Sequence, residues 1–83
     1  MYLLDSNICI AVINQNPIVL IEFNLKSNQC CISTIVMAEL YKGVYFSQRI
    51  ERNLQTLKLF INSVEVIDFD KMQLKNLAKF NWN

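Results

Sequence analysis

Apolar positions along the chain fall into two patterns. Tyr2, Leu3 and Leu4 form a short continuous run that stops at Asp5, residues 30–32 form a similar run, and residues 64–67 form one broken only by Glu65. Short apolar runs bounded by polar residues are consistent with buried strands. They predict strands over 1–5, 30–33 and 64–67. The stretches between them read as helices. Residues 8–14 predict a first helix with Ser6 or Asn7 as its N-cap. Asn14-Gln15-Asn16 interrupts it, and Pro17 stands at the start of a second helix over 17–26, where its missing N–H does no harm. Ser27-Asn28-Gln29 reads as a turn. Ser33 or Thr34 caps a third helix over 35–46, in which Val36, Leu40 and Val44 recur every four residues. The clearest helix spans 48–62, with Ile50, Leu54, Leu57 and Ile61 in one stripe. A last helix is expected from Asp70. It would turn Leu74, Leu77 and Ala78 inward and set Lys71, Lys75 and Lys79 in an outward row.

Strands separated by helices predict one α/β domain over 1–83, with three short parallel strands joined by right-handed crossovers. Ligands of such sheets bind beyond the C-terminal ends of the strands. Asp5, Ser33 and Asp68 all fall at or near those ends.

Composition narrows the chemistry. The chain of 83 residues has no histidine, which removes histidine bases, histidine ligands and Ser-His-Asp catalysis together. A net charge of +1 gives no strong field toward nucleic acid or membrane. Cys9, Cys30 and Cys31 are an odd set with an adjacent pair, a poor disulfide framework. They read as small buried hydrophobes in a reducing compartment. No signal peptide or membrane span is visible, so the expected location is the cytoplasm. Yet 53% of residues are hydrophobic, with mean hydropathy +0.23. Small domains bury a smaller share of their surface than large ones, so this surplus points to a partner, a dimer interface or a missing remainder of the domain.

The candidate site is Asp5, Asn7, Ser33, Thr34 and Glu39. Glu39 has apolar flanks, so its carboxylate is either partly buried and paired or turned toward the crevice of Asp5. Two converging carboxylates repel, and a divalent ion removes that conflict. Mg²⁺ and Mn²⁺ prefer carboxylate and water oxygens, which suits a chain without histidine. The plainer readings stand beside this one. Asp5 can cap a helix, Glu39 can pair with Lys42 or lie at the surface, and Ser33 and Thr34 can be caps only. Gly43 reads as a close helix contact. The lysine row is either a solvated face or, with Phe80 and Trp82, an RNA-touching one.

These motifs resemble a known family. MYLLDSNICIAVI is similar to the opening of the PIN-domain ribonuclease toxins, the VapC family, whose first strand ends in Asp, then Thr or Ser, then Asn. CCISTIVMAELYKGVYFS is similar to the family's second strand and following helix, with its S-x-x-x-x-E-L-x-x-G pattern. NLQTLKLFINSVEVIDFD resembles the next helix and third strand. The similarity runs from Met1 to about Ala78. It implies Mg²⁺- or Mn²⁺-dependent cleavage of RNA, often tRNA, with Asp5 as first metal acid, Glu39 as second, and Asn7 and Ser33 at polar positions near the site, where Thr34 is a further site-shaping candidate by its place beside Ser33. It also implies a cognate antitoxin and homodimers. Family members carry a further acid before an Ile-Ala-Ala-type helix, and nothing here matches it. Phe80-Asn81-Trp82-Asn83 looks like the tail of a disrupted frame. The chain therefore reads as the N-terminal portion of a PIN-like fold, truncated at its C-terminus, with strands in the order three, two, one and the open side of strand one unpaired.

Overall fold

The computed structural model describes residues 1–80. Its elements are β1 (Tyr2–Leu3), α1 (Ser6–Ile13), α2 (Pro17–Lys26), β2 (Cys30–Ser33), α3 (Thr34–Tyr45), α4 (Ile50–Asn62), β3 (Glu65–Ile67) and β4 (Ala78–Lys79), with 3-10 turns at Ser27–Gln29 and Phe69–Leu74. The sheet has four strands in the order β3-β2-β1-β4, all described pairs parallel.

Local chemistry sets most of these boundaries. The Asp5 carboxylate accepts from the Ile8 N–H at 2.9 Å and so caps α1 in place of Ser6 or Asn7. At the other end Gln15 adopts φ 60°, the Asn16 N–H reaches the Ala11 carbonyl and the Gln15 N–H reaches Val12. That is a Schellman closure, with glutamine where glycine is usual. Asn16 then caps α2 ahead of Pro17, and the Ser33 hydroxyl accepts from Val36 N–H to cap α3.

The strand order explains where the helices lie. β1, β2 and β3 step in one direction across the sheet, so right-handed crossovers place all their helices on one face. Side chains alternate along strands. Leu4, Cys30, Ile32 and Phe80 belong to the same buried cluster as Ile8, Val12, Val19, Phe23, Leu40, Leu57 and Phe60 of the four helices. Phe23 and Phe60 join α2 to α4, with ring centroids 5.7 Å apart. Cys31 and Ile67 are also buried but lie outside that cluster, on the opposite face. The chain covers that face on its way back from β3 to β4. Two contacts tie the return down: Phe69 N–H donates to Thr34 Oγ1 at 3.3 Å, and Lys75 reaches Glu65 at 4.0 Å.

The last segment departs from expectation in three ways. The helix predicted from Asp70 is a 3-10 turn followed by a strand, so Leu74 is 77% exposed instead of inward. The lysines share no face, because Lys71 lies in the turn, Lys75 pairs with Glu65 and Lys79 is in β4. The open side of β1 is not an unpaired edge either: Tyr2 is in register with Ala78 and Leu3 with Lys79, and Ala78 N–H donates to the Met1 carbonyl. Phe80, expected in an unrelated tail, is 2% exposed and packs edge-on against Tyr2. Trp82, the other aromatic considered for RNA, lies outside the described residues.

Phe80 anchors β4, so Phe80→Ala should cost about 3–5 kcal/mol in urea unfolding. Leu74→Ala should change stability by less than about 0.5 kcal/mol. Equal effects of the two substitutions would show that β4 does not hold the sheet edge.

Candidate active site

Two concavities flank the start of α1. The first has a volume of about 530 Å³ and lies at the C-terminal ends of the strands. It is lined by Leu3, Leu4, Asp5, Ile8, Ser33 and Val36 on one side and by Leu77, Ala78, Lys79 and Phe80 on the other. The second, about 450 Å³, lies between α1, α3 and α4, and Ser6, Asn14, Glu39, Gly43, Ser47 and Asn53 contribute to its wall. The two adjoin, since Asp5 opens onto one and Ser6 onto the other.

The first hollow has a topological cause. β1 hands the chain to β2 on the helical face, whereas β4 is reached across the other face. Where neighbouring strands send their connections to opposite faces, a crevice opens beyond their ends. Asp5 stands at that point. One of its oxygens holds Ile8 N–H, and the side chain is otherwise exposed. Ser33 is buried with its hydroxyl on Val36 N–H, so it shapes the floor of the hollow. Thr34 faces elsewhere, accepting from Phe69 N–H. Asn7 is exposed and lines neither concavity.

Glu39 is exposed and lines the second concavity. Apolar flanks point to burial in the sequence, but α3 turns Leu40 inward and leaves Glu39 on the adjacent, open side. Among the described residues it forms no ion pair with Lys42; the described pairs are Glu22–Lys26 and Glu65–Lys75. Gly43 is not a close helix contact, because a Cβ there would meet nothing within 4 Å. It widens the space beside Glu39. The far wall is fastened by Asn53 Nδ2 donating to Ser47 Oγ at 2.9 Å, a link that no sequence spacing announces. Lys79 likewise escapes the sequence reading, since as part of a helical row it has no connection to Asp5.

The donor set can be tested against a metal. Asp5 and Glu39 offer hard oxygen ligands, and the cysteines do not compete. Burial, reinforced by the nearby Asp5 carboxylate, pushes the Cys9 thiol up to about 12. Burial and the neighbouring Cys31 raise Cys30 to about 11, and burial also raises Cys31. No group of three or more acid, thiol or imidazole ligands converges among the described residues. Two carboxylates nonetheless suit Mg²⁺, which commonly keeps several waters and takes only one or two protein carboxylates.

The sequence matches the PIN domain family over residues 2–83. The chain belongs to the PIN-domain family. The match extends past Ala78, through the segment that reads as unrelated by motif alone. This PIN chain is 40% identical over 70 residues to a tRNA(fMet)-specific endonuclease VapC of Shigella flexneri, covering 83% of its own length and 53% of that protein. It is 38% identical over 80 residues to Ribonuclease VapC2 of Haemophilus influenzae, covering 95% and 58%. Among solved structures it is similar to DNA-bound VapBC from Salmonella typhimurium, with TM-score 0.76, 40% identity, and coverage of 83% of this chain and 53% of that one. VapBC2 from Rickettsia felis bound to a promoter DNA fragment gives TM-score 0.75, 39% identity, and coverage of 82% and 54%. The chain thus spans about half the length of the curated relatives it matches. No single helix among the described residues is long and apolar enough to cross a membrane.

The cap and the thiols can each be tested. Asp5→Ala should cost about 1 kcal/mol in chemical unfolding, while Asp5→Asn, which keeps a capping oxygen, should cost much less. The thiols titrate higher in the folded protein than their ordinary 9.0, so folding favours their protonated forms. That stabilisation is complete below pH 9 and is lost as pH rises toward about 12. Melting temperature should fall through this window, and the fall should be smaller in Cys9→Ala than in the parent when each is referenced to its own value at pH 8.

Proposed function

We propose that this chain carries the first two acids of a VapC-type endoribonuclease, the toxin of a toxin–antitoxin system, with Asp5 and Glu39 as ligands of Mg²⁺ or Mn²⁺. One observation carries the reading: Asp5 stands at the end of β1, at the point where the sheet's connections change face, in a PIN chain about 40% identical to VapC ribonucleases. The names of those relatives support RNA, and tRNA in particular, as the substrate class. VapBC assemblies among the similar structures support a VapB-type antitoxin as the partner, and a homodimer is the proposed assembly.

A divalent ion held by these carboxylates would act as a Lewis acid on a bound water and offset charge on the phosphodiester. The chain's own residues do the placing. The cap on Ile8 N–H restrains the Asp5 carboxylate and uses only one of its oxygens among the described residues. Ser33, held by Val36 N–H, fixes the depth of the hollow. Glu39 approaches from the neighbouring concavity on a rigid helix. Asn7 and Thr34 line neither concavity and in this reading shape the site only indirectly, from the helical turns beside Ser6 and Ser33.

A second reading has its own support: the carboxylates open onto separate concavities and no third ligand joins them among the described residues. In that reading the chain is a catalytically inactive remnant that binds an antitoxin or a homologous partner.

The enzyme reading predicts cleavage of total RNA that requires Mg²⁺ or Mn²⁺ and falls about 100-fold or more in Asp5→Asn and in Glu39→Gln. A folded parent chain that leaves RNA intact across a metal titration would sink it. Retention of a VapB-type antitoxin by that same inactive chain would then establish the second reading.

A further inference from the structure

Lys79 shares the first hollow with Asp5. It enters on β4, in register with Leu3, just as Asp5 enters on β1 two residues beyond that position. Among the described residues the two charges do not form an ion pair. Lys79 is exposed, and no carboxylate among those residues neutralises it. The remaining wall is largely apolar, from Leu3, Leu77 and Phe80. The hollow therefore offers one anion and one cation, separately, on neighbouring strands.

We propose that Lys79 is a positioning residue that binds a backbone phosphate of RNA and brings the strand across Asp5. The ligand's identity rests on the ribonuclease reading; the location rests on the hollow. A carboxylate alone repels a polyanion. A cation on the adjoining strand offsets that repulsion on one side only, and so gives the RNA a direction of approach. Lysine suits this role, since it contacts phosphate as a point charge without reading sequence. The competing role is that of an edge lysine, which discourages other strands from adding to β4.

The two roles separate in binding measured without cleavage. A short fluorescein-labelled single-stranded RNA is titrated with the full chain in EDTA and followed by fluorescence anisotropy at several salt concentrations. Lys79→Ala and Lys79→Gln should each weaken binding about threefold to tenfold and lower the slope of log K against log salt by about 0.7, the value for one phosphate contact. Lys79→Arg should restore both quantities. Asp5→Asn should bind at least as tightly as the parent under these conditions. This pattern in a chain that nevertheless fails to cleave with Mg²⁺ would support the contact while overturning the nuclease reading. Parent affinity and parent salt slope in both neutral variants, with matching circular dichroism, would overturn the proposal in favour of the edge role. A parent chain that does not bind the RNA at all would also overturn it.

Discussion

A parallel sheet cannot be closed by tight turns. Each strand must be reached by carrying the chain over one face or the other, and both faces must end up covered. Nearly everything about this small domain depends on that constraint. Three strands laid down in one direction commit four helices to a single face. The fourth strand can then be reached only across the opposite face, and the chain makes that crossing with one 3-10 turn and an extended stretch. The body is accordingly thin, 17 Å along its shortest axis against 37 Å and 30 Å along the others. The same reversal opens the hollow beyond β1 and β4. The candidate site is thus a consequence of strand order before it is a matter of side chains.

β1 has only two residues in regular pairing, yet it lies between β2 and β4. A strand this short is held by the residues next to it in the chain. Leu4 is fully buried and its N–H donates to the Cys31 carbonyl. Asp5 then ends the strand by turning its carboxylate onto α1. At the opposite end, the Lys26 ammonium lies 4.8 Å from the Tyr2 ring centroid and 5.7 Å from that of Phe80. Cation–aromatic attraction therefore bridges α2 to both β1 and the residue that anchors β4. Packing, rather than length, keeps the centre of the sheet in register.

Features governed by local chemistry are legible in the sequence. The α/β alternation, Pro17 at a helix start and Ser33 as a cap depend on periodicity and neighbouring residues, whereas the strand order three-two-one follows from the family resemblance. Asp5 is legible as a strand-end acid, although its own capping role displaces Ser6 and Asn7. The segment after Asp70 is not legible. Its lysines recur every four residues, which is a helical signal, but its fate is decided by the empty side of β1 and by Phe80 finding the core. Tertiary demand overrides propensity where a segment is short. Glu39 shows the same limit on a smaller scale: apolar neighbours on a helix reveal that a buried face exists, but rotation by one residue separates Leu40 inside from Glu39 outside. The apolar surplus is visible in the fold as well. Part of it lies on the surface, with Ile18, Ile21 and Leu25 more than 60% exposed along α2.

The conjunction at Asp5 links fold to chemistry most directly. A carboxylate has two oxygens, and a helix cap needs one. By committing Oδ1 to Ile8 N–H, the chain restrains the side chain without consuming its charge. Asp5 lines the hollow that the sheet's reversal of direction has already made. Rigid presentation of a hard oxygen is what a divalent ion requires of its ligand. Serine or threonine at this position would cap equally well but bring no charge. Glutamate would bring the charge but cap poorly. Aspartate at the strand's end therefore meets the demand of the helix while keeping its charge, which is also what the proposed metal-dependent reading asks of it.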